Sequence, residues 1–316
     1  MKKNILIIGG AGFIGFNLYN KLRINSNLTI LDFKKKIQKK NFSRKTKFIY
    51  GDISKKNCFK NLEKKKIKFD LIYHLAAETS TYLCEINPEK CFKTNILGSV
   101  NVFNYCLKFP PKKLIFTSSM AIYGKEAINV KENDDCKPIS NYGFSKLFTE
   151  QLFKKLDDKK TNIKIFRIFN AYGPFQDFDN KFQGMLSIYL SQIFRNSQVE
   201  VTGSLERSRD FIFIDDIIRV ITNKKILSAN DDKIFNLASG KKLTVKDLLD
   251  KIFKLTNKKK KIFLKNPHKG DTFISYANIK LLKKYGVKIN FPITRGIKIM
   301  IKDIKRFDEN SSNSHG

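Results

Sequence analysis

A chain of 316 residues with 41% hydrophobic content can bury one large core or two smaller ones, and its composition does not read as disordered. No apolar run reaches the ~18 residues that span a bilayer, and the start Met1-Lys2-Lys3-Asn4 has no cleavable signal pattern, so a cytoplasmic protein without membrane contact is expected. A net charge of +33 invites a nucleic-acid reading, but 53 of the 62 basic residues are Lys spread along the chain and Trp is absent, whereas base readout favours Arg and aromatics.

Short apolar runs alternate with helical patterns through the first half, the signature of a parallel sheet wound with helices on both faces. Strands are predicted at Asn4 to Ile8, Leu28 to Leu31, Lys47 to Tyr50, Asp70 to Leu75, Lys113 to Thr117 and Ile163 to Ile168. Helices are predicted at Phe13 to Arg23, Pro88 to Lys108 and Asn141 to Leu156, with Pro110 and Pro111 stopping the second. Beyond Gly173 the pattern is mixed: a helix at Gly184 to Arg195, strands at Asp210 to Ile214 and Lys233 to Leu237, helices at Thr244 to Leu255 and Asn278 to Tyr285. The expected division is a nucleotide-binding domain of residues 1–172 with 210–239, a substrate domain of 173–209 with 240–309, and a frayed polar tail of 310–316. The five cysteines, Cys58, Cys84, Cys91, Cys106 and Cys136, are odd in number and lack CxxC spacing, so no disulfide framework and no metal site is expected.

The first strand ends in Gly9-Gly10-Ala11-Gly12-Phe13-Ile14-Gly15, where glycines let backbone amides approach a pyrophosphate at a helix N-terminus. Asp32 closes the second strand, where a carboxylate can accept from an adenine ribose and repel a 2′-phosphate; this selects NAD over NADP, against the alternative of a structural turn acid. Lys34 to Lys36 leave some room for a phosphate. Asp52 and Ile53 after strand three fit adenine, and Leu75, Ala76 and Ala77 after strand four let a backbone pass the pyrophosphate. Tyr142 and Lys146 stand one helical turn apart, a phenol next to an ammonium and hence a proton-transfer device. Composition alone produces a second such pair, Tyr276 and Lys280, but only the first follows Ser119 in Phe116-Thr117-Ser118-Ser119 and the glycine turn.

With these motifs, and with Asn95 in Thr94-Asn95-Ile96-Leu97-Gly98, Arg167 to Pro174, Arg209-Asp210-Phe211-Ile212, Phe235-Asn236-Leu237-Ala238 and Gly270-Asp271, the chain resembles the extended short-chain dehydrogenase/reductase family. Within it the resemblance is to nucleotide-sugar epimerases typified by UDP-glucose 4-epimerase. It implies a Rossmann-like, doubly wound α/β fold with a smaller C-terminal α/β substrate domain, and retained NAD as cofactor. Gly9, Gly12, Phe13, Ile14, Gly15 and Asn95 fall on its cofactor side. Tyr142 is implied as the base on a sugar hydroxyl, Lys146 as the group that lowers its pKa and bonds the nicotinamide ribose, and Ser119 as a hydrogen-bond partner of the reacting oxygen. Asn170, Arg209 and Asp271 are implied as substrate ligands, and Ser80 as facing the sugar. The alternative for the trio is a packed Tyr, a snorkelling Lys and a capping Ser.

Relatives that dehydrate or decarboxylate place acids just after the catalytic Ser or Thr; here Met120 and Ala121 stand there and neither moves a proton, which leaves 4-epimerisation through a transient 4-keto sugar. In the resembled epimerases a residue four places after the Asp of the Gly-Asp pair gates the pocket near the sugar C2 group; the small Ser275 implies that UDP-N-acetylhexosamines are accepted. His268 stands where the family usually has a second phosphate-binding Arg, with Lys269 beside it. A homodimer is implied through helices Pro88 to Lys108 and Asn141 to Leu156, with Phe92, Phe103, Phe148 and Phe153 as apolar material, core packing being the alternative use of the same phenylalanines. The competing readings are another epimerase or a keto-sugar reductase of the family, and, from a different class, a non-catalytic NAD-binding sensor or RNA-associated protein.

Overall fold

β1 (Lys3–Ile8) shows why a parallel sheet forms: Ile5 and Ile7 join one buried cluster, while Leu6 and Ile8 join another on the opposite face. A strand covered on both sides carries an unbroken apolar run rather than an alternation. The computed structural model describes residues 2–38, 40–157, 160–195, 198–267 and 272–312. The further strands are β2 (Ser26–Asp32), β3 (Lys47–Tyr50), β4 (Leu71–His74), β5 (Lys113–Ser119), β6 (Ala127–Val130), β7 (Asn162–Ile168) and β8 (Asn170–Tyr172). They continue with β9 (Val199–Thr202), β10 (Ser208–Phe213), β11 (Ile234–Leu237), β12 (Lys242–Thr244), β13 (Ile262–Lys265) and β14 (Ile274–Ala277).

Seven strands form the main sheet in the order β11-β7-β5-β4-β1-β2-β3, every pairing parallel. The helices Phe13–Leu22 and Ile214–Ile221 cover one face through Phe16, Leu18 and Ile217. The helices Gly98–Lys108 and Asn141–Lys154 cover the other through Val102, Tyr105 and Phe153. This is the doubly wound, Rossmann-like arrangement expected, and its strand order reverses between β1 and β4, which opens a crevice at the carboxyl ends of the strands.

The stretch Pro88 to Lys108 is helical throughout, but not uniformly α: between Pro88–Phe92 and Gly98–Lys108 the segment Lys93–Leu97 winds as a π-turn with Asn95 at its centre. A second sheet runs β12-β10-β14-β6, with β8 added to β10. β10, grouped from sequence with the nucleotide domain, lies in this sheet rather than the main one, and β6, from within the first 172 residues, is its edge. All six residues of β10 are buried, a pattern that any interior strand shows, so partner choice waits on tertiary structure. The final helix Ile293–Ser312 extends through residues 310–312, which were expected to fray.

Phe153, expected on a subunit face, is fully buried in the core instead. The exposed large apolar side chains on these helices are Leu97, Leu107, Phe144 and Phe148, with Phe92 meeting Phe144 edge to face at 6.3 Å. Among the described residues no helix is long and apolar enough to cross a membrane.

A buried ion pair ties the helix Asn141–Lys154 to β7. Arg167 Nε and Nη2 donate to the two carboxylate oxygens of Glu150 at 3.1 and 2.9 Å, and Nη1 donates to Tyr123 Oη and the Glu132 carbonyl. Removing one partner strands the other charge without water. Arg167→Met should therefore cost about 3–5 kcal/mol in urea unfolding, and the double change Arg167→Met with Glu150→Leu should recover most of that loss; equal losses in single and double variants would refute the assignment.

Candidate active site

The crevice is a cleft of about 1280 Å³. Gly9, Gly12, Phe13, Ile14, Gly15, Asp32, Asp52, Ile53, Leu75, Ala76 and Ala77 line one end, so the sequence-predicted cofactor residues converge, apart from Asn95. Gly9 has φ +84°, and a Cβ there would lie 2.6 Å from the Ala76 nitrogen. A Cβ on Gly15 would lie 2.2 Å from the Gly9 carbonyl oxygen, so helix and strand can approach only without one. The helix Phe13–Leu22 begins at Gly12 with no side-chain cap, which leaves its first amides facing the cleft as an anion site. Asp32 pins the turn, accepting from Ala11 N–H at 2.9 Å and Phe33 N–H at 2.8 Å. A glycine cradle, an uncapped helix start and a carboxylate at the end of β2 suit a dinucleotide.

Ser119, Tyr142 and Lys146 meet across the middle of the cleft. Ser119 ends β5, and Ser140 caps the helix Asn141–Lys154 by accepting from Gly143 N–H at 3.1 Å, which sets Tyr142 in the first turn and Lys146 one turn later. Lys146 Nζ donates to the Thr117 carbonyl at 2.9 Å and lies 5.8 Å from the Tyr142 ring centre. Burial raises the Tyr142 phenol well above its usual range, opposed by its hydrogen bond with Ser119. Burial also brings the Lys146 ammonium down to about 8. The expected net lowering of the phenol is not found: burial dominates and the shift is upward.

Asn95 does not line the cleft. It is buried beneath it, donating through Nδ2 to the Glu78 carbonyl at 2.9 Å and to Ser145 Oγ at 3.0 Å, and accepting from Glu78 N–H at 2.8 Å. The π-turn places it there, so it holds the loop after β4 against the Tyr142 helix.

At the other end Ser80, Asn170 and Arg209 line the cleft as expected. Arg209 is nearly fully buried, and its guanidinium falls to about 10 through burial and then through repulsion by Arg207. Arg207, unmarked in the sequence reading, also lines the cleft, and Lys265 joins it. The Arg-x-Arg alternation on an incoming strand was the available signal, since residues i and i+2 share a face. Ser275 is fully buried and lies behind Met120: its hydroxyl donates to the Met120 sulfur at 3.0 Å, and Met120 faces the cleft. His268 and Asp271 lie outside the described residues. Among those described, no cluster of acidic, His or Cys side chains could hold a metal.

The sequence profile of the NAD dependent epimerase/dehydratase family matches residues 5–238, and the chain belongs to that family. Its cofactor is NAD. A dTDP-4-dehydro-6-deoxyglucose reductase of Escherichia coli is 30% identical over 96% of this chain and 98% of its own. Among solved structures, a UDP-glucose 4-epimerase of Thermotoga maritima with UDP-glucose is 27% identical, with a TM-score of 0.88 over 96% of this chain and 99% of that one. A UDP-N-acetylglucosamine 4-epimerase of Methanobrevibacter ruminantium in complex with UDP-N-acetylmuramic acid is 27% identical, with a TM-score of 0.87 over 97% and 99%.

Desolvation of Lys146 has a measurable sign. With a folded pKa of about 8 against 10.5 in the unfolded chain, its penalty is fully present below pH 8 and vanishes as pH rises to 10.5. Over that window the wild type should gain on the order of 3 kcal/mol relative to Lys146→Met, measured by urea unfolding of both at each pH. Parallel pH profiles would refute the burial of a charged Lys146.

Proposed function

We propose that the protein is a NAD-dependent nucleotide-sugar 4-epimerase, an isomerase acting on UDP-hexoses including UDP-N-acetylhexosamines. The observation that carries this reading is the convergence of Ser119, Tyr142 and Lys146 beside Met120 and Ala121, which line the same cleft and cannot exchange protons. The glycine turn and Asp32 would hold NAD, with the first amides of the helix Phe13–Leu22 on its pyrophosphate. When bound, NAD supplies a reversible hydride acceptor for the sugar carbon. Tyr142 acts as the phenolate, taking the proton from the C4 hydroxyl and returning it to the C4 oxygen, while Ser119 orients that oxygen and the Lys146 ammonium favours the phenolate. Arg207 and Arg209 line the cleft as cations suited to a diphosphate, with Lys265 beside them paired to Glu200 at 2.7 Å, which supports nucleotide-sugar binding despite His268. The exposed Leu97, Phe144 and Phe148 support a homodimer through that helix face.

A second reading, net reduction of a 4-keto sugar, is favoured by the similarity to the reductase of Escherichia coli. Incubating the purified protein without added NAD, separately with UDP-glucose and UDP-N-acetylglucosamine, and resolving the products by anion exchange distinguishes the two. Epimerisation yields both galacto isomers; no conversion even after NAD is supplied, with steady NADH oxidation on a 4-keto nucleotide sugar, would establish the reductase. Ser275→Tyr should drive Met120 into the cleft and lower conversion of the N-acetyl substrate about tenfold relative to UDP-glucose; an unchanged ratio would remove Ser275 from the specificity argument.

A further inference from the structure

Tyr82 and Phe182, one hundred positions apart, meet over the mouth of the cleft. Their rings are nearly parallel at 12°, with centres 5.8 Å apart, and both side chains line the cleft. They remain 37% and 49% exposed, so neither is consumed by a core. Two large rings held partly in water along the cleft leave apolar surface there for a ligand.

Each ring is positioned by its own wall. Tyr82 stands in the helix Thr81–Ile86, which Ser80 caps by accepting from Leu83 N–H at 3.2 Å. That helix is tied to the Tyr142 helix: Asn141 N–H donates to Glu85 at 2.7 Å, Asn141 Nδ2 donates to the Cys84 carbonyl at 3.3 Å, and Cys84 packs against Tyr142. Tyr82 therefore keeps a fixed relation to the reactive phenol. Phe182 lies in the irregular stretch 173–184, whose end glycines both have positive φ. That stretch is tied to the helix Met185–Arg195 by Arg195, which donates to Asp179 at 2.7 Å and to Asp308 at 3.0 Å. One ring thus belongs to the wall that carries Tyr142 and the other to the wall that leads into the helix Met185–Arg195.

We propose that Tyr82 and Phe182 form an aromatic roof over the sugar end of the cleft, contacting the hexosyl group of a nucleotide sugar and holding it beneath Tyr142 while the nucleotide binds elsewhere. This rests on the nucleotide-sugar reading above. A hexose suits the roof chemically, because its ring faces carry C–H groups that pair with the negative faces of aromatic rings while its hydroxyls remain free for Ser119 and Ser80. The rings are positioning residues and take no part in proton transfer.

The test is titration calorimetry of the NAD-loaded protein with UDP and with UDP-glucose. Phe182→Ala and Tyr82→Ala should each weaken UDP-glucose about tenfold and leave UDP within about twofold, whereas Tyr82→Phe, which keeps the ring, should retain the hexosyl increment. UDP binding doubles as the check that the variants are folded. The roof is overturned if UDP-glucose affinity is unchanged, if UDP weakens in parallel, or if the wild type does not distinguish the two ligands. Failure of the epimerase reading looks different: the wild type and variants would follow the expected binding pattern while the wild type converts no sugar.

Discussion

The docking of one helix, Asn141–Lys154, sets the geometry of the cleft, and polar contacts fix it along its length. Asn141 bonds Glu85, Ser145 bonds Asn95, Thr149 bonds the Asn95 carbonyl and Ser99, and Glu150 bonds Arg167. Polar contacts made without water are directional, so they set rotation and register more sharply than apolar packing does. The π-turn in the facing helix serves the same end, since it turns Asn95 toward Ser145 and the loop after β4. Tyr142 and Lys146 inherit their positions from that framework.

The framework also determines protonation. Placing a phenol and an ammonium together in a site screened from water penalises the charged form of each, which raises Tyr142 and lowers Lys146. His74, behind the pair, is held neutral by burial and by Lys146 and bonds Ser99 at 2.9 Å. The other end of the cleft differs in sign: Arg209 is lowered first by burial and then by the neighbouring charge of Arg207.

The small side chain at Ser275 was expected to open the sugar pocket directly, but it supports Met120 from behind. Met120, not Ser275, lines the cleft there. Similarly, the charge of +33 is spread over the chain, while the basic residues that line the cleft are Lys36, Lys146, Lys181, Arg195, Arg207, Arg209 and Lys265.

The sequence by itself determined the features that depend on local geometry. The glycine turn needs close backbone approach at consecutive positions, the Tyr142 and Lys146 pair needs one helical turn, and the strands of the main sheet carry apolar runs because both faces are covered. The strand partners of β6, β10 and β14, the burial of Phe153, the inward turn of Asn95, the screen of Met120 before Ser275 and the meeting of Tyr82 with Phe182 were decided by tertiary structure alone. Each of these turns on which distant segments pack together, and the burial pattern of a short strand or the identity of a single polar residue is compatible with several such pairings until the whole chain has chosen one.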